Sequence, residues 1–219
     1  MTEPPRQMSL PFAPNMTRSA FVVDGSNEDA LVFLDEWAKS SEPTLVVYGP
    51  SGSGKSHLLS ILADEWAGPA VFDPGDAGAG ALLIVEDADH LEDPGVILRA
   101  IDQCRRSNGR VAIAGRGDPY LWARGLVDLE TRLAAAPRLV LSDPTEALMQ
   151  RVLQKLFSDR QIVVTEAFCA YACALLPRTF KAAARFVEAM ETELGAGSGR
   201  LSKALASRVI ATLSVEVEN

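Results

Sequence analysis

Residues 49 to 56 read Gly49-Pro50-Ser51-Gly52-Ser53-Gly54-Lys55-Ser56, which matches the Walker A pattern and decides the predicted fold. The apolar run Thr44 to Tyr48 precedes this octapeptide, and the stretch His57 to Trp66 follows it with helical character. Glycines let backbone N–H groups close around phosphates, and a helix N-terminus adds partial positive charge. The strand, glycine loop and helix therefore predict a phosphate-binding loop in an α/β domain.

Two side chains of the octapeptide are candidate ligands of a nucleotide. Lys55 would reach the β- and γ-phosphates, and the Ser56 hydroxyl would bind the Mg²⁺ that neutralises a triphosphate. We count all eight residues and the adjoining His57 as candidate nucleotide-binding residues. The alternative is a glycine-rich turn with an accidental Lys-Ser pair, and the flanking strand and helix argue against it.

Acidic residues follow a second strongly apolar segment. Ala81 to Val85 is a continuous apolar run, typical of a parallel strand covered on both faces, and Glu86 and Asp87 come directly after it. Carboxylates at the carboxyl end of such a strand lie where ligands bind in open α/β sheets. We predict that Glu86 holds hydrated Mg²⁺ and that Asp87 orients or deprotonates water. A solvated acidic loop is the alternative, and Glu86 replaces the usual Asp, which leaves intrinsic hydrolysis open.

The order of predicted elements divides the chain into three parts. Residues 1–18 contain four prolines and few apolar residues, so we predict an extended tail. Strands alternate with helices through residues 19–142, which predicts a P-loop domain with a parallel sheet. Helices alone follow in residues 143–219, which predicts a small α-helical lid domain. The link from Asp73 to Gly80 is too short for a full crossover helix, so either a helix has been deleted or the edge strand is irregular.

Composition and charge exclude several classes of protein. The chain has 219 residues, 47% of them hydrophobic, without an apolar run long enough to span a membrane and without a signal-peptide pattern. We therefore expect a cytoplasmic protein with no membrane partner. A formal net charge of −8 argues against direct gripping of a nucleic-acid backbone, so we expect contact with DNA to run through another protein. The three cysteines are predicted to be reduced thiols.

The predicted tail contains one segment suited to a partner, Gln7-Met8-Ser9-Leu10-Pro11-Phe12. An amide precedes two large apolar side chains, Leu10 and Phe12, and the proline between them stiffens the segment. An extended peptide of this kind fits a hydrophobic groove on another protein. The alternative is an inert leader that packs Leu10 and Phe12 onto its own domain.

Several motifs together resemble a known family. Three segments are similar, with the helical lid, to the AAA+ module of the bacterial initiator DnaA. They are Gly-Pro-Ser-Gly-Ser-Gly-Lys-Ser-His-Leu-Leu at residues 49–59, Phe-Val-Val-Asp-Gly-Ser-Asn at 21–27 and Asp-Leu-Glu-Thr-Arg-Leu at 128–133. The likeness covers nearly all of the chain after residue 20, and we expect no helix-turn-helix DNA-binding domain of the DnaA type. Because Gln7 to Phe12 resembles the sliding-clamp-binding hexapeptide of the Hda proteins, the chain is identified by resemblance as a member of the Hda family.

The resemblance implies roles for single residues. It implies ADP or ATP with Mg²⁺ as cofactor, and places adenine near Val22 to Asn27. Arg132 would be the arginine finger, which stabilises charge on a phosphoryl group across a subunit interface. Arg178 would be the sensor 2 arginine, which contacts phosphate. The alternatives are a surface Arg132 paired with an acid of its own segment and a capping role for Arg178 within the lid. Arg116 departs from the smaller polar or acidic residue common at the sensor 1 turn, which weakens the expectation of intrinsic ATPase activity.

The function that the resemblance implies is negative regulation of replication initiation. The protein would dock on the DNA-loaded sliding clamp, the β subunit of the polymerase, through Gln7 to Phe12. It would then offer Arg132 to the ATP held by DnaA, whose hydrolysis would prevent re-initiation. A homodimer also fits, because AAA+ modules place nucleotide at subunit interfaces. Two alternatives stay open: an independent AAA+ ATPase such as a helicase loader, and an adaptor whose nucleotide only stabilises the fold.

Overall fold

A parallel β-sheet forms the centre of the α/β domain in a computed structural model, which describes residues 15–195 and 200–217. Its strands are β1 (Thr44–Tyr48), β2 (Ala70–Val71), β3 (Leu82–Val85), β4 (Arg110–Gly115) and β5 (Arg138–Val140). They lie in the order β2-β3-β4-β1-β5, and each neighbouring pair is parallel. The predicted α/β fold with a parallel sheet is therefore confirmed, and β4 separates the strand before the Walker A loop from the strand before Glu86.

Helices cover both faces of the sheet and then continue alone. The helices of the α/β part are α1 (Glu28–Lys39), α2 (Lys55–Glu65), α3 (Gly95–Arg106), α4 (Pro119–Trp122) and α5 (Val127–Ala135). The lid contains α6 (Glu146–Asp159), α7 (Glu166–Cys173), α8 (Phe180–Gly195) and α9 (Lys203–Val217). Short 3₁₀ turns lie at Arg18–Ala20 and Pro74–Asp76. Along the described ranges, none of the helices is long and apolar enough to cross a membrane.

Residues along the strands alternate between two apolar layers. Leu45 and Val47 of β1 pack in one layer with residues of α1 and α2, whereas Val46 packs in the opposite layer with residues of α3 and α5. Strands buried on both faces read as continuous apolar runs. This is why β1 and β3 could be located from the sequence.

The lid has a separate apolar core. Phe157 of α6 and Phe186 of α8 are fully buried there, and their rings meet edge to face with centroids 6.1 Å apart. The side chain of Thr145 accepts a hydrogen bond from the Leu148 N–H at 3.1 Å and so caps the N-terminus of α6. The helices of the lid are thus held by their own packing.

The link between β2 and β3 is irregular. It contains the 3₁₀ turn Pro74–Asp76 where a crossover helix is usual, and the edge strand β2 has only two residues. The Trp66 indole N–H donates to the carbonyl of Gly80 at 3.1 Å and holds the end of the link against α2. A Cβ on Gly68 would lie 2.7 Å from that same carbonyl oxygen, so the close approach requires glycine.

The start of the described chain is packed against the α/β domain. The Arg18 guanidinium pairs with Asp35 of α1 and, at 2.7 Å, with Glu65 of α2. Residues 15–18, the last part of the predicted tail, therefore lie on the domain surface. The candidate partner peptide, Gln7 to Phe12, lies outside the described residues.

Candidate functional site

The Walker A residues form a tight loop between β1 and α2. Gly52 and Gly54 have φ values of +72° and +99°, a left-handed backbone that side chains with a Cβ rarely adopt. A Cβ on Gly49 would lie 2.3 Å from the Leu141 carbonyl oxygen, and one on Gly52 would lie 2.7 Å from Cβ of Thr179. Conformation and crowding thus both require the glycines of the octapeptide.

Two polar side chains of this loop, Lys55 and Ser53, differ in their hydrogen bonding. The Lys55 ammonium donates to the carbonyl oxygens of Gly49 and Pro50 at 2.9 and 2.7 Å. Burial lowers the pKa of Lys55, and the nearby charge of Arg116 lowers it further. Within the described residues, the Ser53 hydroxyl is buried and has no hydrogen-bond partner. An anion at this loop would meet a lysine that is already placed among the loop's backbone groups.

The loop opens into a cavity of about 550 Å³ between the α/β domain and the lid. The Walker A part of its wall includes Ser51, Gly52, Gly54, Lys55, Ser56 and His57. The N-terminal segment contributes Asn15, Met16, Ala20, Phe21, Val22 and Asn27, part of which falls in the range predicted to hold adenine. The lid adds Lys155, Asp159, Lys181 and Glu188 among others. Loop, N-terminal segment and lid therefore converge on one space.

His57 connects the loop helix to the N-terminal segment. Its Nε2 donates to the Thr17 carbonyl oxygen at 3.0 Å, and its ring meets Phe21 edge to face with centroids 5.1 Å apart. Burial lowers the pKa of His57, and the hydrogen bond to Thr17 opposes that shift. The predicted binding residue His57 thus lines the cavity, while its own hydrogen bond positions the segment opposite.

The lid is bonded directly to the phosphate-binding loop. The N–H of Phe180, the first residue of α8, donates to the carbonyl of Gly52 at 3.0 Å. A Cβ on Gly54 would lie 3.3 Å from the Phe180 ring. A second joint lies on α6, where Arg151 donates to the Val23 carbonyl at 3.1 Å. A ligand in the cavity would therefore contact two domains that are already hydrogen-bonded to each other.

Glu86, the predicted metal ligand, and Asp87, the predicted base, lie differently at the end of β3. Asp87 has φ +48° and lines the cavity, where its charge acts on Lys55. Glu86 is exposed and is not among the residues that line the cavity. Arg116, at the end of β4, lines the cavity on the same side as Asp87. Of the two acids, Asp87 is thus the one beside the Walker A lysine.

No family model matches the sequence, and no curated protein is similar to it in sequence. Solved structures, in contrast, resemble it strongly in fold. Domain III of the replication initiation protein DnaA from Thermotoga maritima has a TM-score of 0.77 at 15% identity, covering 93% of this chain and 98% of that one. The Holliday junction branch migration motor RuvB from Thermotoga maritima has a TM-score of 0.67 at 16% identity, with coverages of 86% and 68%. A replication initiator DnaA bound to AMPPCP and single-stranded DNA has a TM-score of 0.65 at 11% identity, with coverages of 84% and 65%.

The chain has an AAA+ fold. At these identities the likeness concerns the fold alone: a five-stranded parallel sheet with helices, followed by a helical C-terminal part. The AAA+ fold also accounts for the position of the cavity, at the carboxyl edge of the sheet where ligands bind in α/β proteins.

Arg132 lies on α5 of the AAA+ core and does not line the cavity of its own chain. Its guanidinium pairs with Asp102 of α3 and, at 3.3 Å, with Asp128 one turn earlier on α5. Hydrogen bonding to Asp102 raises the pKa of Arg132. If Arg132 acts across a subunit interface, as the sequence predicts, it must lie outside the cavity of its own chain. The two carboxylates hold its guanidinium in one place.

Arg178 lies at the joint between α7 and α8 but is largely exposed. Its guanidinium is 3.8 Å from Glu146, and it does not line the cavity. Lys181, in the first turn of α8, does line the cavity. Its position in the first turn of a helix could have marked Lys181 as a candidate in the sequence. Only the packed structure, however, identifies which residue of that turn faces the cavity.

Proposed function

We propose that this AAA+ protein binds ADP or ATP with Mg²⁺ and regulates replication initiation. In this proposal it docks on the sliding clamp through Gln7 to Phe12 and stimulates hydrolysis of DnaA-bound ATP by means of Arg132. This is the activity that its resemblance to the Hda family implies. The observation that carries the proposal is the glycine loop with Lys55, opening into a 550 Å³ cavity shared by core and lid.

The residues present fit an adenine nucleotide. Gly52 and Gly54 carry no side chain, so their backbone N–H groups can approach phosphates. The buried Ser53 hydroxyl has no partner among the described residues. Lys55 bonds loop carbonyls that a phosphate oxygen can replace. The fold is also that of a DnaA whose structure contains AMPPCP.

The residues fit Mg²⁺ through the nucleotide. Within the described residues, no group of three or more histidine, cysteine or acidic side chains could hold a metal ion by itself. Mg²⁺ is commonly bound by one or two protein oxygens together with substrate phosphates, and it then neutralises phosphate charge. Ser56 and Asp87 line the cavity and supply such oxygens, and the predicted ligand Glu86 lies beside Asp87.

The proposed arginine finger is Arg132. A guanidinium forms two parallel hydrogen bonds with a carboxylate or a phosphate, so the pairs with Asp102 and Asp128 occupy the donors that a phosphate would use. In the complex, Arg132 would exchange these carboxylates for the phosphoryl oxygens of a partner's nucleotide. Docking on a clamp would bring that partner close to Arg132.

The experiment measures hydrolysis of DnaA-bound ATP on clamp-loaded DNA, with and without this protein. Wild type is expected to stimulate hydrolysis, and Arg132→Ala to lose at least about a hundredfold of that stimulation. Arg208→Ala is the matched control, since Arg208 pairs with Glu193 on the lid. If Arg132→Ala stimulated hydrolysis as much as wild type, the arginine-finger role would be excluded and the adaptor function would be supported.

A second function, an independent ATPase such as a helicase loader, is favoured by one observation. Asp87 and Arg116 both line the cavity beside Lys55, so a base and a cation are available within one chain. Steady-state ATP hydrolysis by the isolated protein separates the two functions. Turnover that Asp87→Asn abolishes, without any effect of this protein on DnaA, would favour the independent enzyme.

A further inference from the structure

The cavity has a phosphate end and a lid end. Phosphate binds where the glycine loop meets the N-terminus of α2, and His57 is the third residue of that helix. The ribose and base of the same nucleotide must then extend along the rest of the wall. That wall contains apolar side chains suited to a flat base: Phe21, Val22, Val152 and Leu156. It also contains a charged pair on α6, Lys155 and Asp159. The wall therefore offers different surfaces to a flat base and to a polar sugar.

The charged pair presents a carboxylate that is held at one oxygen. Lys155 and Asp159 lie one helical turn apart, and Nζ of Lys155 donates to Oδ2 of Asp159 at 2.6 Å. The two side chains are 27% and 33% exposed. Within residues 15–195 and 200–217, the other oxygen of Asp159, Oδ1, accepts no hydrogen bond. Asp159 can therefore accept a hydrogen bond from a ligand without losing its bond to Lys155.

This pair lies across the cavity from the first turn of α2. Burial is the main cause of the lowered pKa of His57, and the positive charge of Lys155 adds to it, so the two side chains are close enough to interact. Ribose is the part of a nucleotide that directly follows the phosphates, and its hydroxyl groups are hydrogen-bond donors. Carboxylates accept from ribose hydroxyls in other nucleotide-binding folds. Glu188, a second lid acid in the cavity wall, is exposed, so Asp159 is the better placed acceptor.

We propose that Asp159 accepts a hydrogen bond from a ribose hydroxyl of the bound nucleotide, and that Lys155 is a positioning residue that holds the Asp159 carboxylate. The inference rests on the proposed nucleotide site and adds a preference for ribonucleotides over deoxyribonucleotides. A hydrogen bond to a charged acceptor is stronger than one between neutral groups. A nucleotide without the hydroxyl would cover the carboxylate and leave its second oxygen unpaired. The lid thus distinguishes the sugar, while the loop binds the phosphates.

The test is the ratio of two affinities, because a merely structural loss weakens all nucleotides equally. Calorimetry on the full chain compares ADP with 2′-deoxyADP and 3′-deoxyADP, each with Mg²⁺. Wild type should bind at least one deoxynucleotide roughly tenfold more weakly than ADP. Asp159→Ala should weaken ADP binding by about the same factor and change binding of that deoxynucleotide by less than about twofold, so the preference disappears. Lys155→Ala should reduce the preference to roughly threefold, since the carboxylate is no longer held.

Glu193→Ala is the matched control. It removes the acid of another lid ion pair, in which Glu193 lies 2.9 Å from Arg208, and Glu193 is not among the described residues that line the cavity. This variant should keep the full preference. Should Asp159→Ala fail to fold, Asp159→Asn decides, since it keeps an acceptor oxygen without the charge and should show an intermediate preference.

The outcomes separate this inference from the proposed nucleotide site. If wild type binds neither ADP nor ATP, the proposed site is wrong and the inference falls with it. If wild type binds ADP and both deoxynucleotides equally well, the inference alone is overturned. A preference that Asp159→Ala and Asp159→Asn both leave unchanged would also overturn it, because another group would then contact the hydroxyl.

Discussion

The backbone N–H of Phe180 donates to the carbonyl oxygen of Gly52 over 3.0 Å, so the first residue of the lid helix α8 is bonded to the phosphate-binding loop. Thr179, just before it, lies so close to Gly52 that a Cβ there would be 2.7 Å from the threonine. The order of the loop and the seating of the lid therefore depend on each other.

The first prediction concerns Gly52→Ala. The substitution places a Cβ on a residue with φ +72° and against Thr179, so we expect a loss of roughly 2 kcal/mol or more in the free energy of unfolding. Urea denaturation followed by circular dichroism measures it. Gly78→Ala is the control, since a Cβ at Gly78 would meet nothing within 4 Å, and it should change stability by less than about 0.5 kcal/mol. Equal losses in both variants would contradict the role of crowding at the lid joint.

The second prediction compares the two cations at the start of α8. Lys181 lines the cavity, whereas Arg178 is 65% exposed and 3.8 Å from Glu146. We expect Lys181→Ala to weaken AMPPCP binding by about tenfold, and Arg178→Ala by less than about twofold. Calorimetric titration in the presence of Mg²⁺ measures both. The reverse order would support the sensor 2 role that the sequence resemblance implies for Arg178.

The third prediction concerns pH. Burial lowers the pKa of His57 below its ordinary value of 6.5, so the folded state binds fewer protons than the unfolded state as the pH falls through that value. The stability associated with neutral His57 is complete above pH 6.5 and is lost on acidification below it. Urea denaturation of wild type at pH 7.5 and 5.5 should show this loss, and His57→Gln should show a smaller one. His90→Gln controls for the removal of a histidine, and parallel pH dependence of wild type and His57→Gln would exclude the effect.

The fourth prediction concerns the cysteines. Burial raises the pKa of Cys104, Cys169 and Cys173 to about 11. At pH 8 only roughly one thiol in a thousand would then be ionised, and the thiolate is the form that reacts. Native protein should resist iodoacetamide, while protein in concentrated urea should gain three additions by intact mass. Fast alkylation of one cysteine in native protein would show that its surroundings open readily.

Sequence patterns located the elements well where one physical rule dominates. The apolar run before the Walker A loop, Thr44 to Tyr48, coincides with β1 at both ends. Continuous burial of the strand explains this agreement. The Walker A loop was located equally well, because its glycines, lysine and serine are consecutive in the sequence.

Residues that depend on packing between elements were harder to find. Asp89 followed the predicted acids, but its bond to the Arg116 backbone comes from a different strand. Lys181 and Arg178 are both cations near the start of one helix, and only the packed structure shows that Lys181 lines the cavity and Arg178 does not. The wall formed by Phe21 and His57 likewise joins residues that no local pattern relates.

The anchoring of Arg18 by Asp35 and Glu65 fixes one end of the segment that leads back to the candidate partner peptide. Phe12, the last residue of that peptide, precedes Arg18 by six positions, and a fully extended chain spans at most roughly 20 Å over that length. If a protein binds the peptide as proposed, its contact with Phe12 lies within that distance of Arg18. Asn15 and Met16, which line the nucleotide cavity, lie between the two, so the effective concentration of such a partner near the cavity is high without any further contact.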